Sequence, residues 1–249
     1  MAVSRSLRVW HRRLALVVGL QLFAWTVSGF LFTWRPIEEV HGDHWLAEPP
    51  AAPALTAEFA AGLVPLARIT AARGAVGTAV GAQLAWYRDR WTWRFDGDPG
   101  LYDAATGAPL GEMDEDEART RAAAFLRAPG EVTAASFLAE SPGRGEFRGG
   151  VAPAWRVDFD APDAVHVYVD ARTGALLKLR TAVWRRFDFF WGFHIMDWNG
   201  REDFHHLLLR VVAALGVLSA TTGVGLTVAI YAARWRKKRK SAAASDGSR

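Results

Sequence analysis

The stretch HVYVDARTGALLKL, His166 to Leu179, decides the fold. Apolar and polar residues alternate on the way in, Asp170 and Gly174 supply a tight turn, and alternation resumes on the way out. That is the pattern of strand, turn and strand with one buried face. The turn occurs twice: DAATGAPL begins at Asp103 and DARTGALL at Asp170, sharing D-A-x-T-G-A-x-L. Each copy follows a tryptophan-bearing strand signal, WTWRFDGDPG (Trp91–Gly100) and PAWRVDFDAP (Pro153–Pro162). Upstream of each copy an alanine-rich stretch, about Leu55 to Ala72 and about Asp114 to Ala128, predicts a helix. The second opens on DEDE (Asp114 to Glu117), the acidic first turn that a helix N-terminus favours. Two small α+β units in tandem follow, each a helix laid on an antiparallel sheet. ESPGRGEFRGGVAP (Glu140–Pro153) reads as a flexible loop, and AEPPAAPA (Ala47–Ala54) as a stiff extended spacer.

Outside this region lie two uncharged runs, LALVVGLQLFAWTVSGFLFTW from Leu14 to Trp34 and VVAALGVLSATTGVGLTVAIYAA from Val211 to Ala233. Each is long enough as a helix to cross the roughly 30 Å of hydrocarbon in a bilayer. Arg5, Arg8, Arg12 and Arg13 precede the first run as in a secretion signal, but the run exceeds an h-region of about 7 to 15 residues and no small-residue cleavage site follows it. It reads as an uncleaved anchor. Basic flanks, these arginines and RWRKKRK (Arg234–Lys240), place both termini in the cytoplasm and residues 35–206 in the periplasm of a bacterial inner membrane. The formal net charge of +4 comes largely from these flanks, so it points to the lipid bilayer and not to nucleic acid. With no cysteine, disulfides and thiolate-held clusters are excluded.

The fold class is therefore a membrane α+β protein, two transmembrane helices flanking an extracytoplasmic pair of units. Its segments are a basic N-terminus (1–13), a first span (14–34), a juxtamembrane spacer (35–54), a first unit (55–112), a second unit (113–182), an aromatic and histidine-rich segment (183–206), a second span (207–233) and a basic tail (234–249). Ser28 and Gly29 in the first span, and Gly216, Ser219, Ala220 and Gly223 in the second, form small-residue faces that predict close helix packing, within one protomer or in a homodimer.

WRVDFDAPDAVHVYVDARTGALLKL (Trp155–Leu179) resembles a PepSY domain, and WHRRLALVVGLQLFAWTVSGFLFTWRPIEEVHGDH (Trp10–His44) resembles the first helix of PepSY-associated transmembrane proteins. The resemblance covers nearly the whole chain except the basic tail. It implies tandem PepSY-like units, a module that in peptidase propeptides is associated with inhibition or chaperoning of the protease. Some PepSY-associated membrane proteins resemble haem-carrying ferric-siderophore reductases, which have more membrane helices than this chain.

His41, His44, His194, His205 and His206 all flank the spans on the outer side, where they are candidate ligands for haem b or a metal. His41 and His44 would share a face on a helical turn, whereas His205 and His206 cannot both face one site. The opposing reading is an aromatic belt with Trp34, Trp45, Trp184, Trp191 and Trp198. His11, at the cytoplasmic end of the first span, reads as an interfacial residue or as meeting its mate in a dimer, and His166 as a half-exposed sheet residue.

Three function classes stand. The leading one is a non-catalytic binding or regulatory module for an envelope protein or peptidase, favoured because no nucleophile has an evident base. The second is a haem- or metal-binding subunit in electron transfer or siderophore-iron reduction. The third is a structural accessory subunit of a larger membrane complex.

Overall fold

The computed structural model describes residues 5–48, 51–72, 81–98 and 100–246. Residues 49–50 of the expected spacer, 1–4 of the N-terminal segment and 247–249 of the tail lie outside the described residues. In chain order the elements begin with helix α1 (Arg5–Thr33), helix α2 (Ile37–His41), a 3-10 turn (Asp43–Trp45), and helices α3 (Ala57–Ala61) and α4 (Leu66–Ala72). Strands β1 (Ala82–Tyr87), β2 (Arg90–Phe95), β3 (Leu101–Asp103) and β4 (Pro109–Leu110) follow, then helix α5 (Glu115–Ala124). The chain continues through β5 (Glu131–Leu138), β6 (Ala154–Asp160), β7 (Val165–Asp170) and β8 (Leu176–Arg180) to helices α6 (Ala182–Ile195) and α7 (Leu207–Asp246). Two compact units result: residues 35–187 carry every described strand, and residues up to 34 together with those from 188 carry the long helices.

In the strand-bearing unit the two sheets have the same up-and-down topology, β1-β2-β3-β4 and β5-β6-β7-β8. The repeated octapeptide explains the likeness. Asp103 Oδ1 accepts the amides of Ala105 and Thr106, and Asp170 Oδ1 those of Arg172 and Thr173. Thr106 Oγ1 accepts from Ala108 N as Thr173 Oγ1 does from Ala175 N. Gly107 and Gly174, at φ 75° and 68°, adopt the left-handed conformation that closes each turn, and their amides return to the carbonyls of Asp103 and Asp170.

The second sheet has the larger core. Val157, Phe159, Val165, Val167, Val169 and Leu179 alternate onto one face and bury themselves against Ala118 and Ala122 of α5. Two alanines one helical turn apart let the helix approach the sheet closely. Asp114 caps α5 by accepting from Glu117 N at 2.9 Å, while Glu115 and Glu117 pair with Arg119 and Arg88.

Four expectations change. The helix expected over Leu55–Ala72 is broken into α3 and α4 by Gly62-Leu63-Val64-Pro65, since proline has no amide to continue the ladder and Val64 is needed in the first sheet's core with Ile69 and Phe95. The juxtamembrane segment is not a free spacer as far as Ala47: Val40 is buried with Val183 and Trp184, Leu46 bridges to Leu126, and Ala47 N donates to Phe125 O at 2.8 Å. Burial of the apolar Val40 and Leu46 side chains favours that docking. His41 and His44 do not share a helical turn, because Gly42 (φ 83°) ends α2 between them. Glu140–Pro153 is not a loose loop either, since Phe147 is only 2% exposed.

In the helical unit, the stretches Arg8–Thr33 and Leu207–Arg239 are long and apolar enough to cross a membrane. Only 11% and 6% of their most apolar windows are buried, which suits lipid and not the core of a soluble domain. α1 and α7 pack within the protomer. Gly223 faces the His11 ring, whose Nδ1 lies 2.9 Å from Thr222 Oγ1, and Gly216 faces Leu22.

Candidate functional site

The second sheet's other face is polar. Period-two alternation sends Arg156 and Asp158 of β6 and His166 and Tyr168 of β7 away from the α5 core, and the register places Arg156 opposite Tyr168 and Asp158 opposite His166. Lys178 and Arg180 of β8 and Arg185 of α6 border the same face. Arg156 is held flat by a forked pair to Asp158, at 2.7 and 2.9 Å. An array so rich in cations needs an anion, and the chain supplies Glu146 from the Glu140–Pro153 loop.

Glu146 Oε2 lies 2.7 Å from His166 Nδ1 and accepts from Tyr168 Oη at 3.3 Å, while Oε1 accepts from Arg185 Nη1 at 3.1 Å. Burial alone would raise this carboxyl's pKa. The His166 bond and charge, followed by Arg185, outweigh burial and hold it at about 2, so it is ionised throughout the physiological range. Burial and the Glu146 charge push the Tyr168 phenol well above its usual range, so it stays a neutral donor. The adjoining Phe147 ring stacks on Tyr168, with centroids 4.7 Å apart and planes 4° from parallel. Arg180 Nε donates to the Glu146 carbonyl at 3.0 Å and Lys178 Nζ to the Arg148 carbonyl at 2.5 Å. His166 is thus a participant in a network, its side chain only 16% exposed, and not a half-exposed bystander. Sequence reading missed Glu146, Phe147 and Arg185. The one available signal was the column of charged residues on the strands' polar face, which demands a covering anion.

The rim histidines divide between the units. In the strand-bearing unit His41 is exposed, and His44 lies 3.8 Å from Asp163. In the helical unit His194 Nδ1 lies 2.8 Å from Ser28 Oγ. The serine hydroxyl has one proton: with it on the carbonyl of Ala24 or Trp25, Ser28 accepts from Nδ1–H of His194, and that tautomer carries its lone pair on Nε2. Burial lowers the His194 pKa and favours the neutral ring. The ring packs between Trp25 and Phe32 and lines an aromatic cavity of about 380 Å³ with Trp191, Ile195, Phe204 and Leu209. His206 is committed twice: Nδ1 accepts from Leu209 N at 3.2 Å, capping α7, and Nε2 donates to Ile195 O at 2.9 Å. His205 is exposed. Asp197 orders the loop before α7 by accepting four amides, those of Asn199, Gly200, Glu202 and Asp203. Burial is the largest single influence and would raise its pKa, but the four bonds together outweigh it and lower the pKa. Among the described residues no three His, Asp or Glu side chains group as metal ligands.

A family model for the PepSY-associated TM region matches residues 8–245. No curated protein and no solved structure matches the chain. The matched stretch takes in both apolar helices and both sheets, and on that extent the chain belongs to the family of PepSY-associated transmembrane proteins.

Proposed function

We propose that the chain is an inner-membrane-anchored protein, both termini cytoplasmic, whose periplasmic residues 35–206 form a non-catalytic binding or regulatory module of two PepSY-like units for an envelope protein or peptidase. The observation that carries this reading is strand β5. It is the longest described strand and an edge of its sheet, pairing only with β6 among the described residues. Edges normally carry lysine, proline, bulges or inward charges that prevent pairing. EVTAASFL has no lysine or proline and a single charge at its first residue, and its register shift, between Val132 and Ala134, leaves Ala135–Leu138 in regular register. Such an edge accepts an extended partner segment by backbone hydrogen bonding. Photo-crosslinking from Ser136 and Phe137, both exposed on β5, tests it. Crosslinks to one extended segment of an envelope protein are expected. Signal no higher than from a probe at exposed Gln83 would sink the reading.

A second reading, a haem- or metal-binding subunit, is favoured by His194 alone: its imidazole is oriented through Nδ1 by a hydroxyl, as the rings of ligating histidines are. Both ring nitrogens of His206 are engaged at the start of α7, so of these two histidines His194 would hold the haem b. Bound haem would supply one-electron chemistry. Oxidised and dithionite-reduced spectra of full-length protein from haem-supplemented cells decide it, since a near-stoichiometric Soret band lost in His194→Ala is required.

A further inference from the structure

The Glu146–Phe147 pair lies on the polar face of the second sheet in the manner of a bound peptide. The sheet's contacts to it fall into two kinds. Arg180 and Lys178 grip main-chain carbonyls, those of Glu146 and Arg148, which any peptide possesses. His166, Tyr168 and Arg185 read one carboxylate, and the Tyr168 ring stacks on one aromatic side chain. The first kind gives grip and the second gives selectivity, the division of labour found where extended segments are recognised. Phe147 itself is sealed in by Ala154, Tyr168, Leu138 and Leu177, a socket for one ring. Glycines at 143, 145, 149 and 150 flank the pair on both sides, two of them at positive φ, so the backbone on either side of it is built from residues with wide conformational freedom. Remove the Glu146 carboxylate, and the three groups that hold it, His166, Tyr168 and Arg185, are left to receive the carboxylate of another acidic segment.

We propose that this face is a binding site for a partner segment carrying an acidic residue followed directly by an aromatic one, and that Glu146–Phe147 occupies it in cis until displaced. The proposal rests on the binding-module reading but concerns a different surface from the β5 edge. A tethered occupant competes at an effective concentration in the millimolar range. The unmodified chain therefore binds such a segment only weakly, and a chain whose own pair is disabled binds it strongly.

The probe is a fluorescein-labelled synthetic peptide of residues 140–152, ESPGRGEFRGGVA, added to full-length protein in detergent and followed by anisotropy. A control peptide carries Glu146→Gln and Phe147→Ala. The Glu146→Gln/Phe147→Ala protein is expected to bind the native peptide at least tenfold more tightly than the unmodified protein does, and at least tenfold more tightly than it binds the control. Adding Arg185→Ala to that protein abolishes the gain. Equal binding of both peptides, or no binding by a variant whose circular dichroism is unchanged, overturns the proposal and makes the loop a structural closure only. Should the double variant fail to fold, hydrogen exchange in the unmodified protein decides instead: excess native peptide must deprotect residues 146–150, and no deprotection refutes displacement. None of these readouts involves β5, so loss of the crosslinked partner and loss of peptide binding are separate failures.

Discussion

Replacing Glu146 by glutamine keeps the shape and one acceptor but removes the charge that His166 and Arg185 hold. The magnitude follows from the carboxyl itself. Lowering its pKa from an ordinary 4.5 to about 2 corresponds to about 3 kcal/mol if none is lost to solvent. The side chain is 20% exposed, so screening reduces the expected loss to about 2 kcal/mol. The sign is fixed by the depressed pKa. Stability from the ionised group is fully present above about 4.5, and disappears as the pH falls toward about 2. The assay is hydrogen exchange of the loop, where Gly150 N donates to Phe147 O at 2.9 Å, compared between variant and unmodified protein at each pH so that intrinsic exchange cancels. At pH 6 the variant should exchange about thirtyfold faster, and the ratio should approach one near pH 2. A ratio that stays constant between pH 6 and pH 2.5, or that is already one at pH 6, would refute the assignment of Glu146 as the charged anchor.

Other substitutions test other joints. Gly42→Ala should destabilise the strand-bearing unit by about 2–3 kcal/mol in denaturant melts, because the residue has φ 83° and an added Cβ meets Leu179 Cδ2. Arg88→Ala removes a guanidinium that forks onto Glu117 and donates to the Gly111 carbonyl from a hairpin turn at φ 51°. A loss of about 2–4 kcal/mol and faster proteolysis between the two sheets are expected. His206→Ala should cost about 1 kcal/mol and raise exchange at the first turn of α7, whereas His205→Ala leaves both unchanged. Asp197→Asn should increase exchange in residues 199–203, and the unmodified loop should loosen as the pH drops below the ordinary carboxylate range, since the group's pKa is depressed in the folded state.

Local chemistry is what made much of this protein legible. The two uncharged runs determine two spanning helices, because a bilayer requires about 20 apolar residues whatever surrounds them. The octapeptide determines both hairpins, because the Asp and Thr side chains and the left-handed glycine act within five residues of one another. Period-two alternation likewise fixes which residues of β6 and β7 enter the core. Only the tertiary structure decided what covers the opposite face. Glu146 reaches His166 across 20 residues and Arg185 across 39, and no local pattern distinguishes a glycine-flanked Glu-Phe that docks from one that stays in solvent. The same holds for His194 and His206, alike in sequence as rim imidazoles. Ser28, 166 positions away, and the end of α6 decide that one ring is held through Nδ1 by a hydroxyl and the other is spent as a helix cap. Charge pairing and hydrogen bonding depend on distances of a few ångströms between remote segments, which folding sets and local sequence does not record.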